Sequence, residues 1–156
     1  MVTTTANQPA EADVIDPREL VTPDLYGRLV ARIVAEHCMP EQLADRIMSQ
    51  ALAFLAVCAF NPGSSLAPSR AVDIGWHTFL LDSREYAAFC ENVAGVFLHH
   101  LPDDAGPGDS AEAAERLGVT IDAMRAAGLP VDAELWLANG KCSQCYAGCT
   151  SDPRAV

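Results

Sequence analysis

The chain is poor in positive charge: 10 Lys and Arg stand against 21 Asp and Glu in 156 residues, a formal net charge of −11. Such a surface repels phosphate backbones and anionic headgroups, so neither nucleic acid nor a membrane is an expected partner. A cationic small molecule or a basic protein patch fits the charge better, as does an acidity that only aids solubility. Residues 1–16 contain neither a basic n-region nor an apolar h-region, so they read as a disordered leader rather than a secretory signal. No apolar run is expected to reach the roughly 20 residues of a membrane span; the longest is Ala51 to Phe60. These absences point to the cytoplasm, where thiols stay reduced and six cysteines indicate metal or redox chemistry rather than disulfides. A nucleophile elbow, a phosphate-binding Gly-rich loop, a dinucleotide fingerprint and an HExxH motif are also missing, which removes the common hydrolase and nucleotide-binding classes.

The alternation of half-buried strands is lacking too. The periodicity is helical throughout, so the expected fold is all-α. It is read as a compact bundle of four main helices, short C-terminal helices and a Cys-rich tail, one domain over 17–156 with its cysteine segment at 140–150. Thr22 before Pro23 is a helix start, and Leu25, Leu29, Val30, Ile33 and Val34 carry a helix over 23–38. A second runs from Pro40 to about Ala59, where Asn61-Pro62-Gly63 stops it, and a third covers 70–81. Ser83 is expected to cap a fourth that ends before Pro102. Ser110 then caps a short helix to Leu117 and Thr120 another to Ala127. That last pair scans like a helix-turn-helix, but its second helix would offer only Asp122 and Arg125 to DNA, so DNA binding is rejected.

What is present in excess is cysteine at the end. Cys142-Ser-Gln-Cys145-Tyr-Ala-Gly-Cys149 packs three thiols into eight positions. Cys142 and Cys145 have the two-residue spacing that lets both sulfurs reach one tetrahedral zinc ion, and Cys149 could add a third. The fourth ligand would be a histidine, Cys90 or Cys38. Thiolates also hold iron–sulfur clusters, and a tail of idle or redox-active thiols is the third possibility. Leu135 and Trp136 precede the cluster and are expected to anchor it near His77 or the His99–His100 pair.

A second constellation is Asp73-Ile-Gly-Trp76-His77, followed by Tyr86, Cys90, His99 and His100. Four residues apart on a helix, Asp73 and His77 share a face, and the carboxylate can fix the imidazole tautomer. If the next helix were regular to its end, His100 would lie about 80° around it from Cys90 and His99 almost opposite. Trp76, Phe79, Tyr86, Phe89 and Phe97 have helical spacing and read as core, while His37, at the end of the first helix, is favoured there by the dipole.

The stretch from Phe54 to Pro102 resembles a group of small, uncharacterised actinobacterial proteins with the pattern VDxGWHxFxLxxxxYxxFCxxxxGxFxHHxP. Asp73, Trp76, His77, Tyr86 and Cys90 are also similar to an element of glycine-rich-domain-containing proteins. Those often carry a second histidine two positions after Trp-His, where this chain has Phe79, so no two-histidine site is carried over at that point. The resemblance implies no reaction. It singles out Asp73, Trp76, His77, Tyr86, Cys90, His99 and His100.

Two functions fit. One is a metal-binding accessory or interaction module with a structural site of four protein ligands, zinc first. The other is a metalloenzyme of a specialised biosynthetic pathway. It would bind zinc or iron through three of His77, Cys90, His99, His100 and the tail cysteines, with Asp73 orienting His77 and Tyr86 donating a proton or touching substrate.

Overall fold

The computed structural model describes residues 14–100 and 111–137, and among these there is no strand. After a 3₁₀ turn at Pro17–Leu20 come α1 (Pro23–His37), α2 (Glu41–Phe60), α3 (Arg70–Leu81), α4 (Ser83–Ala94), α5 (Ala111–Ala126) and α6 (Ala133–Leu137). The all-α expectation holds, with five helices of 12 to 20 residues rather than four and one short one. The start of α1 is as read: the Thr22 hydroxyl accepts from Leu25 N at 3.3 Å.

α2 is the axis of the molecule. Ala51 through Val57 are all buried, so this stretch of the helix is apolar on every side, and the helix is wrapped by α1, α3, α4 and α5. By length and composition it could cross a bilayer, which corrects the expectation that no segment approaches that length. Its apolar surface is spent on its neighbours instead: 61% of its most apolar window is buried within the domain.

α3 crosses α2 at Gly75. A Cβ there would lie 2.6 Å from the Ala51 Cβ and 3.1 Å from the Ile47 carbonyl, so only glycine allows this approach. The close crossing seats Trp76 and Phe79 in the core.

Three expectations about helix ends are corrected. α4 stops at Ala94, because Gly95 adopts φ 66° and closes the helix in the left-handed region. Phe97, His99 and His100 are therefore not helical, and angular spacing from Cys90 does not apply to them. Asp82 is the N-cap of α4, so Ser83 is its first helical residue, not its cap. The two short helices after residue 110 are one, α5, with Gly118 inside it. Thr120 holds it to the 64–69 loop: its hydroxyl accepts from Ala67 N at 3.0 Å and shares its proton between the Ala67 and Arg116 carbonyls. A tertiary anchor thus overrides the two local stop signals, and the helix-turn-helix disappears with them.

α6 is tied down by polar groups. Gln50 on α2 accepts from Trp136 Nε1 at 2.6 Å and from Asp132 N at 3.1 Å, and donates to the Pro130 carbonyl at 3.1 Å. Arg46, one turn earlier, grips Asp132 with two bonds of 2.7 and 2.9 Å and reaches Glu134 at 2.6 Å.

Candidate metal centre

α3 starts at Ser69, whose hydroxyl accepts from Val72 N at 3.2 Å. Asp73 sits in the first turn, where the helix dipole favours a carboxylate. One turn further, His77 places Nε2 3.4 Å from Asp73 Oδ2. The second imidazole arrives from outside the helix: His100 Nε2 lies 2.8 Å from Asp73 Oδ1. The two rings meet edge to face with centroids 4.3 Å apart. The three donor atoms all lie within 4.8 Å of one another.

Exposure is graded across the group. The His100 side chain is 15% exposed, Asp73 35% and His77 60%, so the centre opens to solvent on its His77 side. Beneath His100 lies Trp76, with ring centroids 4.3 Å apart. Trp76 packs on Phe54, and Phe54 on Trp136, in one row of rings.

The segment carrying His100 is held by Tyr86. Its buried hydroxyl accepts from Trp76 Nε1 at 2.9 Å and donates to the Leu98 carbonyl at 2.6 Å, two residues before His100. Burial is the main cause that pushes the Tyr86 pKa up. The hydroxyl thus bridges the Trp76 indole and the Leu98 carbonyl.

A tetrahedral ion with bonds of about 2.0–2.1 Å separates its ligand atoms by about 3.3 Å. The contacts of 2.8 and 3.4 Å straddle that value. The same Nε2 atoms can serve in two ways: as N–H donors to the carboxylate, or, with the proton on Nδ1, as lone-pair donors to a cation. Two imidazoles and a carboxylate form a donor set that suits zinc and Fe(II).

The remaining sequence candidates are dispersed. His99 turns to Phe97, ring centroids 4.9 Å apart, and is not in the three-donor group. Cys90 is 1% exposed in the core and also lies outside the group. Cys38 is exposed, while burial pushes the half-buried Cys58 thiol up to about 12, which disfavours the thiolate a metal needs. Cys142, Cys145 and Cys149 lie outside the described residues. Sequence reasoning cast Asp73 as the orienter of His77 and missed it as a donor shared with His100. Its i,i+4 spacing from His77 signalled the first contact; nothing local signals the second.

Fold and centre together define a small all-α protein with an Asp/His/His group at the edge of α3. A family model, UCP032817-like, matches residues 21–117, and the chain belongs to that family. The matched region contains all three donors and Tyr86 but ends before the cysteine segment. No curated protein and no solved structure matches the chain.

Proposed function

We propose that the chain is a metal-binding helical protein of the cytoplasm, acting as an accessory or interaction module. It holds one divalent transition ion, zinc first and iron as the alternative, on Asp73, His77 and His100. The observation that carries this is the convergence of one carboxylate and two imidazoles within 4.8 Å, from two separate segments. Support comes from the scaffold: Trp76 and Tyr86 lock the loop that delivers His100, as groups behind a metal site commonly do. The likeness to actinobacterial proteins and to glycine-rich-domain proteins belongs to the same proposal, since Asp73, Trp76, His77, Tyr86 and His100 of that pattern build the centre. An iron–sulfur cluster would rest on the tail thiols alone, because no cysteine among the described residues joins the group.

A metalloenzyme is the second reading, favoured by the ligand count, since three protein ligands leave a position for water or substrate. Among the described residues, an open surface pocket of about 280 Å³ lies by Arg18, Arg46, Gln50 and Asp132, away from the three donors.

The test is a zinc competition titration against a chromophoric chelator. The wild-type chain should bind one ion. Asp73→Asn, His77→Ala and His100→Ala should each weaken binding at least about tenfold, and His99→Ala should bind as the wild type does. Wild-type affinity in all three donor variants would refute the assignment.

A further inference from the structure

We propose that the open pocket between the Pro17–Leu20 turn, α2 and the loop before α6 binds a small carboxylic acid. The acid is held by the guanidinium groups of Arg18 and Arg46 and by the hydroxyl of Ser49. The pocket has a volume of about 280 Å³, and Gln50, Pro130 and Asp132 complete its lining. None of the three metal donors belongs to it, so its ligand is independent of the metal.

The hydrogen-bonding capacity left over in this pocket is that of a donor. A guanidinium carries five N–H groups. Arg46 gives Nε to Asp132 Oδ2, and Nη2 to Asp132 Oδ1 and to Glu134, which leaves both N–H groups of Nη1 unused. Arg18 gives one N–H to Asp45 at 2.7 Å, and a second given to the Tyr26 hydroxyl beside it still leaves three. The Ser49 hydroxyl has no partner among the described residues. The carboxylate and amide oxygens of the lining are already taken. Both Asp132 oxygens accept from Arg46, and Gln50 Oε1 accepts from Trp136 Nε1 and from Asp132 N. A ligand here must therefore bring acceptors.

Charge decides which acceptors. The two guanidiniums and the three carboxylates paired with them, Asp45, Asp132 and Glu134, sum to one negative charge. Binding therefore rests on directed N–H bonds and not on a positive field. A carboxylate adds one charge and offers two coplanar oxygens that match a guanidinium edge, whereas a phosphate group brings about 1.5–2 charges into the same surroundings. Three hydrogen bonds already hold Arg46, so little side-chain freedom remains to be lost on binding. At roughly 30 Å³ per water, the pocket has the volume of about nine water molecules, which suits an acid of few heavy atoms.

Sodium propionate is the probe, titrated at constant ionic strength into the full-length chain labelled with nitrogen-15, with sodium chloride and sodium phosphate in parallel. The Nε–H signals of Arg18 and Arg46 should move saturably with propionate, at a midpoint on the order of 10 mM, and should not saturate with chloride. Ser49 lies three residues after Arg46 on α2, so Ser49→Glu supplies the pocket with a carboxylate of its own and should abolish the saturable shift. Arg18→Met leaves the bonds from Arg46 to Asp132 and Glu134 in place and should weaken binding about tenfold. Propionate should also raise the melting temperature of the wild type and not that of Ser49→Glu. Saturation by phosphate at a lower concentration than propionate would overturn the assignment to carboxylates. Equal shifts with chloride, or wild-type binding in both variants, would show that the pocket holds no acid.

Discussion

The Tyr86 hydroxyl joins two things that lie far apart in the sequence: the indole of Trp76 and the carbonyl of Leu98. Tyr86→Phe keeps the ring contacts with Phe79 and Phe97 but leaves a buried N–H and a half-buried carbonyl without their partner. The expected cost is about 1–3 kcal/mol, read as a lower urea midpoint with unchanged helical circular dichroism. Zinc affinity should fall by about 10–100-fold, because the His100 segment loses its clamp. A destabilised variant that binds zinc as tightly as the wild type would show that Tyr86 does not position the centre. This pair of measurements separates support of the fold from support of the site.

Two glycines with opposite predictions report on the helices. Gly75 marks the place where α3 and α2 touch, and the clash distance of 2.6 Å to a side chain on the facing helix leaves a methyl no room. Gly75→Ala should lower stability by about 1–3 kcal/mol through a forced shift of the crossing. Because Asp73 and His77 flank the crossing on α3, zinc affinity should drop with it. Gly118 lies in the interior of α5, and a Cβ there meets nothing within 4 Å. Gly118→Ala should therefore stabilise the protein by about 0.5–1 kcal/mol, from the entropy glycine loses on entering a helix. A thermal melt that falls instead would mean that the chain breaks at Gly118, as its turn-like sequence suggests.

The attachment of α6 to α2 depends on ionised groups. The Arg46 guanidinium, bonded to Asp132, holds that carboxyl below its ordinary value of 3.8. A lowered carboxylate contributes stability that is fully present above the ordinary value and is lost as pH falls through the lowered one. Arg46→Met should therefore cost stability at neutral pH, and the gap to the wild type should stay constant down to about pH 4. Below that it should narrow, as Asp132 takes up its proton. Urea midpoints measured from pH 7 to pH 3 check this, and a gap independent of pH over the whole range would rule the ion pair out as the source.

Local chemistry wrote most of the helices into the chain. Thr22-Pro23 set the start of α1, Asn61-Pro62-Gly63 the end of α2, and the i,i+4 pair Asp73 and His77 was legible because both residues ride one regular helix. Their periodicity depends only on neighbours three and four residues away, which a sequence displays directly. Where the reading failed, a distant partner decided. Thr120 reads as a cap until Ala67 occupies its hydroxyl inside a continuous α5. Gly95 could have been read as the end of α4, yet no local rule says where the chain goes afterwards. That His100 and not His99 meets Asp73 follows from the Tyr86 hydrogen bond to Leu98, across 12 residues, and from the Trp76 ring beneath. Such contacts are settled by how α3 and α4 pack on α2, so the residue types of the Asp/His/His group were visible in the amino-acid order and their grouping was not.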